Sequence, residues 1–395
     1  MSDALKKNPE IGGLVDRVTL SIDRIVPGGL GIGFADGMTF FVPLTAPGDV
    51  IVAEVTRRKG KIAWCEIEEL IESGPQRIEP PCPHYGLCGG CNFQHLTYSE
   101  QIAAKREIVR DCLRRIGGIE MPDLAIVFES PKQFGYRTRV RWHTDGDRDA
   151  VGFKRRRSDD VIIVDNCPIL SDGLNLVLAK SDVLGNDLPD ELEASADDQG
   201  KVVFSPNIQG SDSELSRIVA GLEYRYSAEC FFQANSAMLE PLVTAAVEGL
   251  AGERALDLYC GVGLFSLPLA QKFDSVDAVE GSSPSAEYAI ANSKRAGLTN
   301  VNVQTSDVEL FCTDGVLGKY DAVVLDPPRS GPPQALIANL ATSGVRTVSY
   351  VSCEPSILAR DLKTLLAAGY KITGFTMLDL FPQTHHVETV VRLVQ

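Results

Sequence analysis

The stretch RALDLYCGVGLFSLPLA, residues 254–270, decides the fold, because an apolar run is followed by a glycine-rich turn and the start of a helix. The alternation of apolar strands with helical stretches is typical of a doubly wound sheet. It continues from about residue 230 to the end of the chain through four further apolar segments, SVDAVE, YDAVVLD, RTVSYVS and KITGFTML. We therefore predict an α/β, Rossmann-like domain in this half of the chain.

The glycine turn predicts a ligand site. Gly261 and Gly263 allow the backbone to approach a ligand closely, and Glu280 ends the next strand, 23 residues after Asp257. An acid at that place can accept both hydroxyls of a ribose. The third glycine of a dinucleotide fingerprint is missing. A nucleoside without phosphate, such as S-adenosylmethionine, therefore fits better, and a plain tight turn is the alternative.

Two later strand ends carry side chains of chemical interest. Asp326 in VVLDPPRSG and Cys353 in VSYVSCEPSIL each come at the end of an apolar run. Ligands of open α/β sheets bind outside the carboxyl ends of the strands. Cys353 can be a nucleophile, a metal ligand or a small buried apolar residue, because free cysteines often lie in cores. The residues alone leave these three roles open.

The N-terminal half has a different pattern. Short β-branched runs separated by tight turns over residues 14–72 predict a small closed barrel of the OB type. Residues 97–118 predict a helix with Ser99 as its cap and Gly117 at its end. Residues 120–225 are mixed and rich in strands.

Four of the ten cysteines stand in a pattern typical of metal ligands. The segments PPCPHYGLCGGCNFQHL and VDNCPIL supply Cys82, Cys88, Cys91 and Cys167. Three clustered thiols and a remote one can enclose a four-iron cluster, whereas zinc would favour a histidine partner such as His84 or His95. The start of the chain, MSDALKKNPEIGG, has no apolar segment of a secretory signal. We therefore expect a cytoplasmic protein with reduced thiols.

The charge is unevenly distributed. A net charge of −15 argues against a general nucleic-acid coat, yet residues 132–157 carry nine Lys or Arg against three Asp. Arg137, Arg139 and Arg141 alternate and so share one face of a predicted strand. This strip either grips phosphates or is an ordinary solvated face. No apolar run reaches the length of a membrane span, so we expect no membrane partner.

Five motifs, taken in order, resemble those of the RNA uracil-5-methyltransferase family, which makes 5-methyluridine in rRNA and tRNA. They are CFFQAN (230–235), DLYCGVGLFSLPLA (257–270), LDPPRSG (325–331), YVSCEPSILARDL (350–362) and FPQTHHVETVV (381–391). Together they extend the resemblance over nearly the whole chain.

The resemblance implies three domains. Residues 12–73 would form a TRAM domain, which is an OB-type barrel. Residues 74–95 and 120–228 would form a central mixed α/β domain that carries an iron–sulfur cluster and contacts RNA. Residues 96–119 and 229–395 would form the Rossmann-like, S-adenosylmethionine-dependent methyltransferase domain.

The resemblance also implies the chemistry. Cys353 would add to carbon 6 of uracil, because a thiolate is a strong nucleophile. The enolate formed in this way can attack the methyl group of S-adenosylmethionine. Glu388 would then remove the proton from carbon 5 as a general base, and the valines around it suggest burial, which raises the pKa of a carboxylate. The residues that would contact S-adenosylmethionine are Gln233, Tyr259, Glu280, Asp307 and Asp326.

The rRNA branch of this family carries the four-cysteine pattern and a leading TRAM barrel. The resemblance therefore implies a [4Fe–4S] cluster on Cys82, Cys88, Cys91 and Cys167 and a 23S rRNA substrate. We expect the target uridine to lie in a single-stranded loop, because exposing a base costs less there, and we expect the protein to be a monomer. A tRNA uridine methyltransferase and a non-enzymatic iron–sulfur RNA-binding protein are the alternatives. Two positions depart from the family pattern: Glu354 replaces a common Asn, and Leu264 replaces a common polar residue.

Overall fold

The computed structural model describes residues 16–122, 125–144, 150–180, 184, 187–208, 210, 213–312 and 315–395. These fall into two compact units, with the boundary between Arg77 and Ile78. Residues 1–15, used above to exclude a secretory signal, and residues 145–149, within the basic segment, lie outside the described residues.

The first unit contains a five-stranded closed barrel, as the sequence predicts. Its strands are β1 (Arg17–Val26), β2 (Leu30–Ala35), β3 (Met38–Pro43), β4 (Val50–Lys59) and β5 (Ile62–Glu72), in the order β1-β2-β3-β5-β4. Its apolar interior includes the buried side chains of Leu20 and Phe40. The buried carboxylate of Asp49 links the segment between β3 and β4 to the segment after β5. It accepts hydrogen bonds from the backbone N–H groups of Ala46 and Gly74 and pairs with Arg77 at 2.7 Å.

The second unit contains the helices and strands that follow the barrel. In chain order they are α1 (Tyr98–Cys112), β6 (Ala125–Phe128), β7 (Arg139–Thr144), β8 (Val151–Lys154), β9 (Val161–Ile163), α2 (Asp172–Leu178), β10 (Glu191–Ala196), β11 (Val202–Ser205), β12 (Glu214–Val219), β13 (Leu222–Ser227), α3 (Leu239–Val247), β14 (Gly252–Leu258), α4 (Ser266–Ala270), β15 (Phe273–Glu280), α5 (Ser283–Arg295), β16 (Val301–Thr305), α6 (Val308–Phe311), β17 (Ala322–Leu325), α7 (Gln334–Thr342), β18 (Thr347–Ser352), α8 (Pro355–Ala367), β19 (Lys371–Leu378) and β20 (Glu388–Val394). A π-helical turn at Leu113–Gly117 extends α1, and 3₁₀ turns lie at Ser236–Met238 and Leu317–Lys319.

The helix α1 begins earlier than its predicted cap. The hydroxyl of Thr97 accepts a hydrogen bond from the backbone N–H of Glu100 and so caps the helix. Ser99 already lies inside the first turn, and the expectation that it caps the helix is wrong.

A smaller sheet is formed by the strands β7 to β11, between β6 and β12 in the chain. It has the order β11-β10-β7-β8-β9, with the hairpin β12-β13 beside it. The apolar side chains of β7, Val140 and Trp142, are buried, whereas Arg139 and Arg141 lie on the other face. The predicted alternation is confirmed for Arg139 and Arg141, whereas Arg137 precedes the strand.

The larger sheet confirms the predicted α/β class. Its order is β16-β15-β14-β17-β18-β20-β19-β6. The first five strands in this order are parallel, whereas β20 is antiparallel to both of its neighbours. Two apolar clusters cover the sheet, with buried residues such as Leu256 and Tyr350 in one of them. The sequence did not assign β6 to this sheet.

Candidate active site

One edge of the large sheet collects the predicted site residues. Leu258 is paired with both Val279 and Leu325, and Leu325 is paired with Tyr350, so four parallel strands end at the same level. Tyr259, Glu280, Asp326 and Cys353 lie at these strand ends. The antiparallel strand β20 starts at this edge, because Ser352 is paired with Thr389. Glu388, the first residue of β20, therefore lies beside the end of β18.

The glycine turn holds Glu280 in place. The carboxylate of Glu280 accepts hydrogen bonds from the backbone N–H of Gly261 at 2.9 Å and of Ser282 at 2.7 Å. Gly263 has a φ of +96°, and a Cβ there would lie 2.8 Å from the side chain of Leu267. This position therefore requires glycine. The turn and the acid thus form one rigid cradle.

The turn also rests on a buried acid that sequence reasoning did not assign. Asp257 is completely buried and accepts a hydrogen bond from the Ser266 hydroxyl at 2.5 Å. Burial, together with the charges of Asp326 and Glu280, raises the pKa of Asp257 to about 7. Its Oδ1 atom has no hydrogen-bond partner among the described residues.

Tyr259 and Asp307 lie near each other on the far side of the turn. Tyr259 has a φ of +63°, a left-handed conformation that is uncommon for a residue other than glycine. Burial raises the pKa of its phenol, and the charges near it include that of Asp307. The Asp307 carboxylate caps α6 by accepting from the N–H groups of Glu309 and Leu310. Its second oxygen has no bond in this cap.

Cys353, Glu388 and Asp326 form one electrostatic cluster with the cation of Arg329, in which Glu388 is buried, Cys353 and Asp326 are half-buried and Arg329 is exposed. Burial raises the pKa of the Cys353 thiol to about 12, helped by the charges of Glu388 and Asp326 and opposed by Arg329. Glu388 is 1% exposed. Burial and then the Asp326 charge raise its pKa well above the usual range, again against Arg329. Arg329 lies in the motif LDPPRSG, but sequence reasoning gave it no role.

Gln233 joins this cluster from outside the sheet. Burial raises the pKa of Asp326 to about 7, and a hydrogen bond from the Gln233 side chain acts in the opposite direction. The neighbouring Asn235 is anchored by its side chain to the carbonyl of Leu380 at 3.2 Å. The segment CFFQAN is thus fixed next to this cluster.

Comparisons with known proteins show the family of the chain. The sequence profile of the tRNA (Uracil-5-)-methyltransferase family matches residues 211–395. The 23S rRNA (uracil(1939)-C(5))-methyltransferase RlmD of Pseudomonas entomophila is 32% identical, over 94% of this chain and 92% of that protein. RlmD of Vibrio parahaemolyticus is 30% identical, with 94% of each chain covered.

A solved structure is similar over the same range. The tRNA (uracil-54, C5)-methyltransferase of Pyrococcus abyssi, in complex with S-adenosyl-L-homocysteine, has a TM-score of 0.73 and 26% identity. The similarity covers 95% of this chain and all of that one. The chain belongs to the RNA uracil-5-methyltransferase family. It is therefore an enzyme, and the resemblance inferred from its motifs is confirmed.

The four predicted cluster cysteines of this methyltransferase line a single cavity. Its volume is about 600 Å³, and Cys82, Cys88, Cys91 and Cys167 all contribute to its wall together with Arg137. Burial raises the pKa of Cys91 to about 12 and that of Cys167 to about 11. Nowhere in the described part of the chain do three or more His, Cys, Asp or Glu side chains converge closely enough to hold a metal ion. The donor set suits iron, but the thiols do not converge on one ion.

The arginine strip of the methyltransferase is not a free surface. Arg139 and Arg141 on β7 both pair with Glu193 on β10, each at 2.7 Å. Arg137 precedes β7, and its guanidinium donates to the carbonyl of Arg139 at 2.9 Å. Exposed cations also lie at the end of β8, where Arg155 and Arg157 follow Lys154.

The two departures from the family pattern have structural explanations. Glu354 is the N-cap of α8, and its carboxylate accepts from the Ser356 hydroxyl at 2.7 Å and from the Ser356 N–H at 3.4 Å. Leu264 packs into an apolar cluster and is 7% exposed. Neither residue belongs to the cluster of Cys353, Glu388, Asp326 and Arg329. In the ranges the structure covers, no helix has the length and apolar character needed to cross a membrane.

Proposed function

We propose that the enzyme methylates carbon 5 of a specific uridine in 23S rRNA through a covalent bond between Cys353 and carbon 6 of the base. The observation that carries this proposal is the cluster of Cys353, Asp326 and Arg329 around the buried Glu388 at the sheet edge. The preference for 23S rRNA over tRNA rests on the RlmD relatives, which match nearly the whole chain.

The residues of the chain divide the reaction between them. The sulfur of Cys353 adds to carbon 6, which makes carbon 5 nucleophilic. When bound, S-adenosylmethionine supplies an electrophilic methyl group on a positively charged sulfur. After methylation of carbon 5, Glu388 accepts the proton from that carbon, and the electron pair left behind expels the Cys353 thiolate. Asp326 and Gln233 hold the base or the cofactor beside this centre.

The glycine cradle supports the choice of cofactor. Gly261 has open space where a Cβ would point, so a ligand can approach the backbone there. Glu280 lies against the same turn and is our candidate for binding both ribose hydroxyls. Tyr259 and Asp307 flank the place where the rest of the nucleoside would lie. The wild-type thiol, with its pKa at about 12, needs positive charge to become a thiolate, and both Arg329 and a bound sulfonium provide it.

Mechanism-based trapping tests this proposal directly. RNA that contains 5-fluorouridine cannot lose fluorine as a cation, so the enzyme should remain covalently attached to a methylated base. With labelled S-adenosylmethionine, the wild type should give a labelled protein–RNA band on a denaturing gel, and Cys353→Ala should not. A 23S rRNA fragment and a tRNA transcript, each carrying the analogue, distinguish the two substrates. Undiminished turnover by Cys353→Ala would refute the mechanism.

We also propose that Cys82, Cys88, Cys91 and Cys167 hold a [4Fe–4S] cluster of structural function. Support comes from the shared cavity and from the cysteine pattern of the rRNA branch. Anaerobically purified protein should be brown and contain about four irons. Cys167→Ser should lose them. A colourless protein with one zinc would contradict the assignment.

RNA contacts and domain limits complete the proposal. We assign residues 12–73 to a TRAM domain, 74–95 with 120–228 to the central domain, and 96–119 with 229–395 to the methyltransferase domain of a monomer, except that β6 belongs to the methyltransferase domain because it pairs with β19. The exposed cations at the end of β8 are our choice for the phosphates beside a uridine in a single-stranded loop.

A further inference from the structure

The loop before Glu388 is tied to other segments at almost every residue. We call residues 379–387, which join β19 to β20, the base loop. Its backbone carbonyls accept hydrogen bonds at four successive residues, and the donors are the side chains or N–H groups of Asn235, Lys105, Tyr136, Asn92 and Phe93. Loops are normally the most mobile parts of a fold. In the base loop, hydrogen bonds from other segments of the chain hold the backbone in place.

Asn92 forms two hydrogen bonds with His385, which lies near Glu388 in the base loop. Its Oδ1 accepts from the backbone N–H of His385 at 2.9 Å, which leaves its Nδ2 to donate to the His385 Nδ1 at 2.7 Å. This pattern requires a neutral imidazole that carries its proton on Nε2. Burial, with help from the Lys105 charge, lowers the pKa of His385 to about 4 and so agrees with the neutral form. His385 is three residues from Glu388.

Glu388 itself lacks a comparable anchor. Its Oε1 atom is buried and has no hydrogen-bond partner among the described residues. The direction of the carboxylate is therefore set by packing and by the backbone that leads into β20. A proton acceptor must lie within hydrogen-bond reach of its proton, about 2.6–3.2 Å. A small shift of the base loop would thus move the base out of reach.

We propose that Asn92 is a positioning residue for Glu388 and acts through His385. Asn92 follows Cys91 in the cysteine segment, 293 residues away from His385 in the chain. The cysteine segment therefore helps to position the residue that removes the proton from carbon 5, in addition to holding any metal. This inference rests on the proposed roles of Cys353 and Glu388.

The test measures where the reaction stops. In Asn92→Ala, kcat should fall by about 10²-fold, the cost of a misplacement of about 1 Å, with unchanged KM values for RNA and S-adenosylmethionine. Enzyme carrying methylated RNA should accumulate on denaturing gels, because abstraction of the proton becomes the slow step. His385→Ala should give the same result, and the double variant should be no worse than either single one.

Controls separate positioning from folding and from metal binding. Asn300→Ala removes a similar two-point anchor to the carbonyls of Ala270 and Phe273, so it should lower thermal stability without accumulation of the adduct. Wild-type kcat in Asn92→Ala, or a loss of kcat that follows a loss of iron or of cofactor binding, would overturn the inference. Glu388→Gln is the reference: if it too yields no adduct, the proposed function has failed rather than the role of Asn92.

Discussion

Glu388→Gln isolates proton abstraction from the earlier steps. Glutamine has nearly the same shape but cannot accept the proton as a carboxylate does. General bases contribute typically 10²–10⁴-fold, so kcat should fall by about that factor. Addition of Cys353 and methylation do not require this base. The variant should therefore collect as a covalent, methylated protein–RNA adduct that the wild type resolves.

The same substitution should leave the fold intact. The Glu388 carboxyl is 1% exposed, and its Oε1 has no partner among the described residues. An unsatisfied buried polar group costs about 1–3 kcal/mol. Replacing the Glu388 carboxyl group by the neutral amide of glutamine removes an ionisable group and hardly changes the size of the side chain. We expect a free energy of unfolding equal to that of the wild type or higher. A large loss of stability would contradict the described packing.

The pH dependence provides a second readout. Burial raises the pKa of Glu388 well above its usual range, and only its deprotonated form accepts the proton. The wild-type rate should therefore rise with pH through and above neutrality, rather than levelling off near the pKa of an ordinary carboxyl. In Glu388→Gln the part of this dependence that comes from the base should vanish. Full turnover without an adduct, or an unchanged pH profile, would refute the role of Glu388.

Three further predictions concern the cofactor, the RNA and the fold. Glu280→Gln should weaken S-adenosylmethionine binding in calorimetry by about 10–10²-fold, the loss of one or two hydrogen bonds to a charged group, with RNA affinity unchanged. Replacing Arg155 and Arg157 by Ala should weaken RNA binding and reduce its salt slope by about 0.7 per lost phosphate contact. Asp379→Ala should cost about 3–5 kcal/mol in denaturant unfolding, because it leaves the buried Lys105 without its partner at 2.5 Å.

The cofactor and RNA predictions each have a matched control. Asp277→Asn removes an acid from the same strand as Glu280, at a point where it pairs with Arg254 at 3.2 Å, and should leave cofactor affinity unchanged. Replacing Arg114 and Arg115 by Ala removes two exposed charges that pair with Asp111, and should leave the salt slope at its wild-type value. Equal effects of variant and control would contradict the corresponding prediction.

Local patterns were enough to predict the barrel, the helix α1 and the apolar strands of the large sheet, but not the separate strands of residues 120–225. The period of two in β7 and the apolar runs before Tyr259, Asp326 and Cys353 are properties of adjacent residues, so they can be read from one sequence. The strands that pair with one another cannot be predicted from adjacent residues. Glu193 pairs with Arg139 and Arg141 from more than 50 residues away, and nothing in the local pattern of either segment predicts that pairing. The strip therefore looked more available to phosphates than it is.

The cluster around Cys353 also could not be predicted from local patterns alone. The family motifs named Cys353 and Glu388, but only the antiparallel insertion of β20 next to β18 explains why they lie together. Arg329 was overlooked because a single arginine after two prolines has no local signal of a buried neighbour. The link from Asn92 to His385 joins residues 293 positions apart. Sequence reasoning assigned chemistry to single residues, whereas the charges that govern that chemistry come from the packing.

That packing also suggests the order of events. The pKa values of Cys353, Asp326 and Glu388 are all raised, and the charge of Arg329 lowers those of Cys353 and Glu388. These neighbouring acids do not ionise independently, because each added negative charge raises the pKa of the others. A positively charged sulfur bound at the same edge changes this balance and favours both the thiolate and the carboxylates. We therefore expect the nucleophile to become active only after the methyl donor is bound, which prevents the thiol from adding to uracil when no methyl group is present.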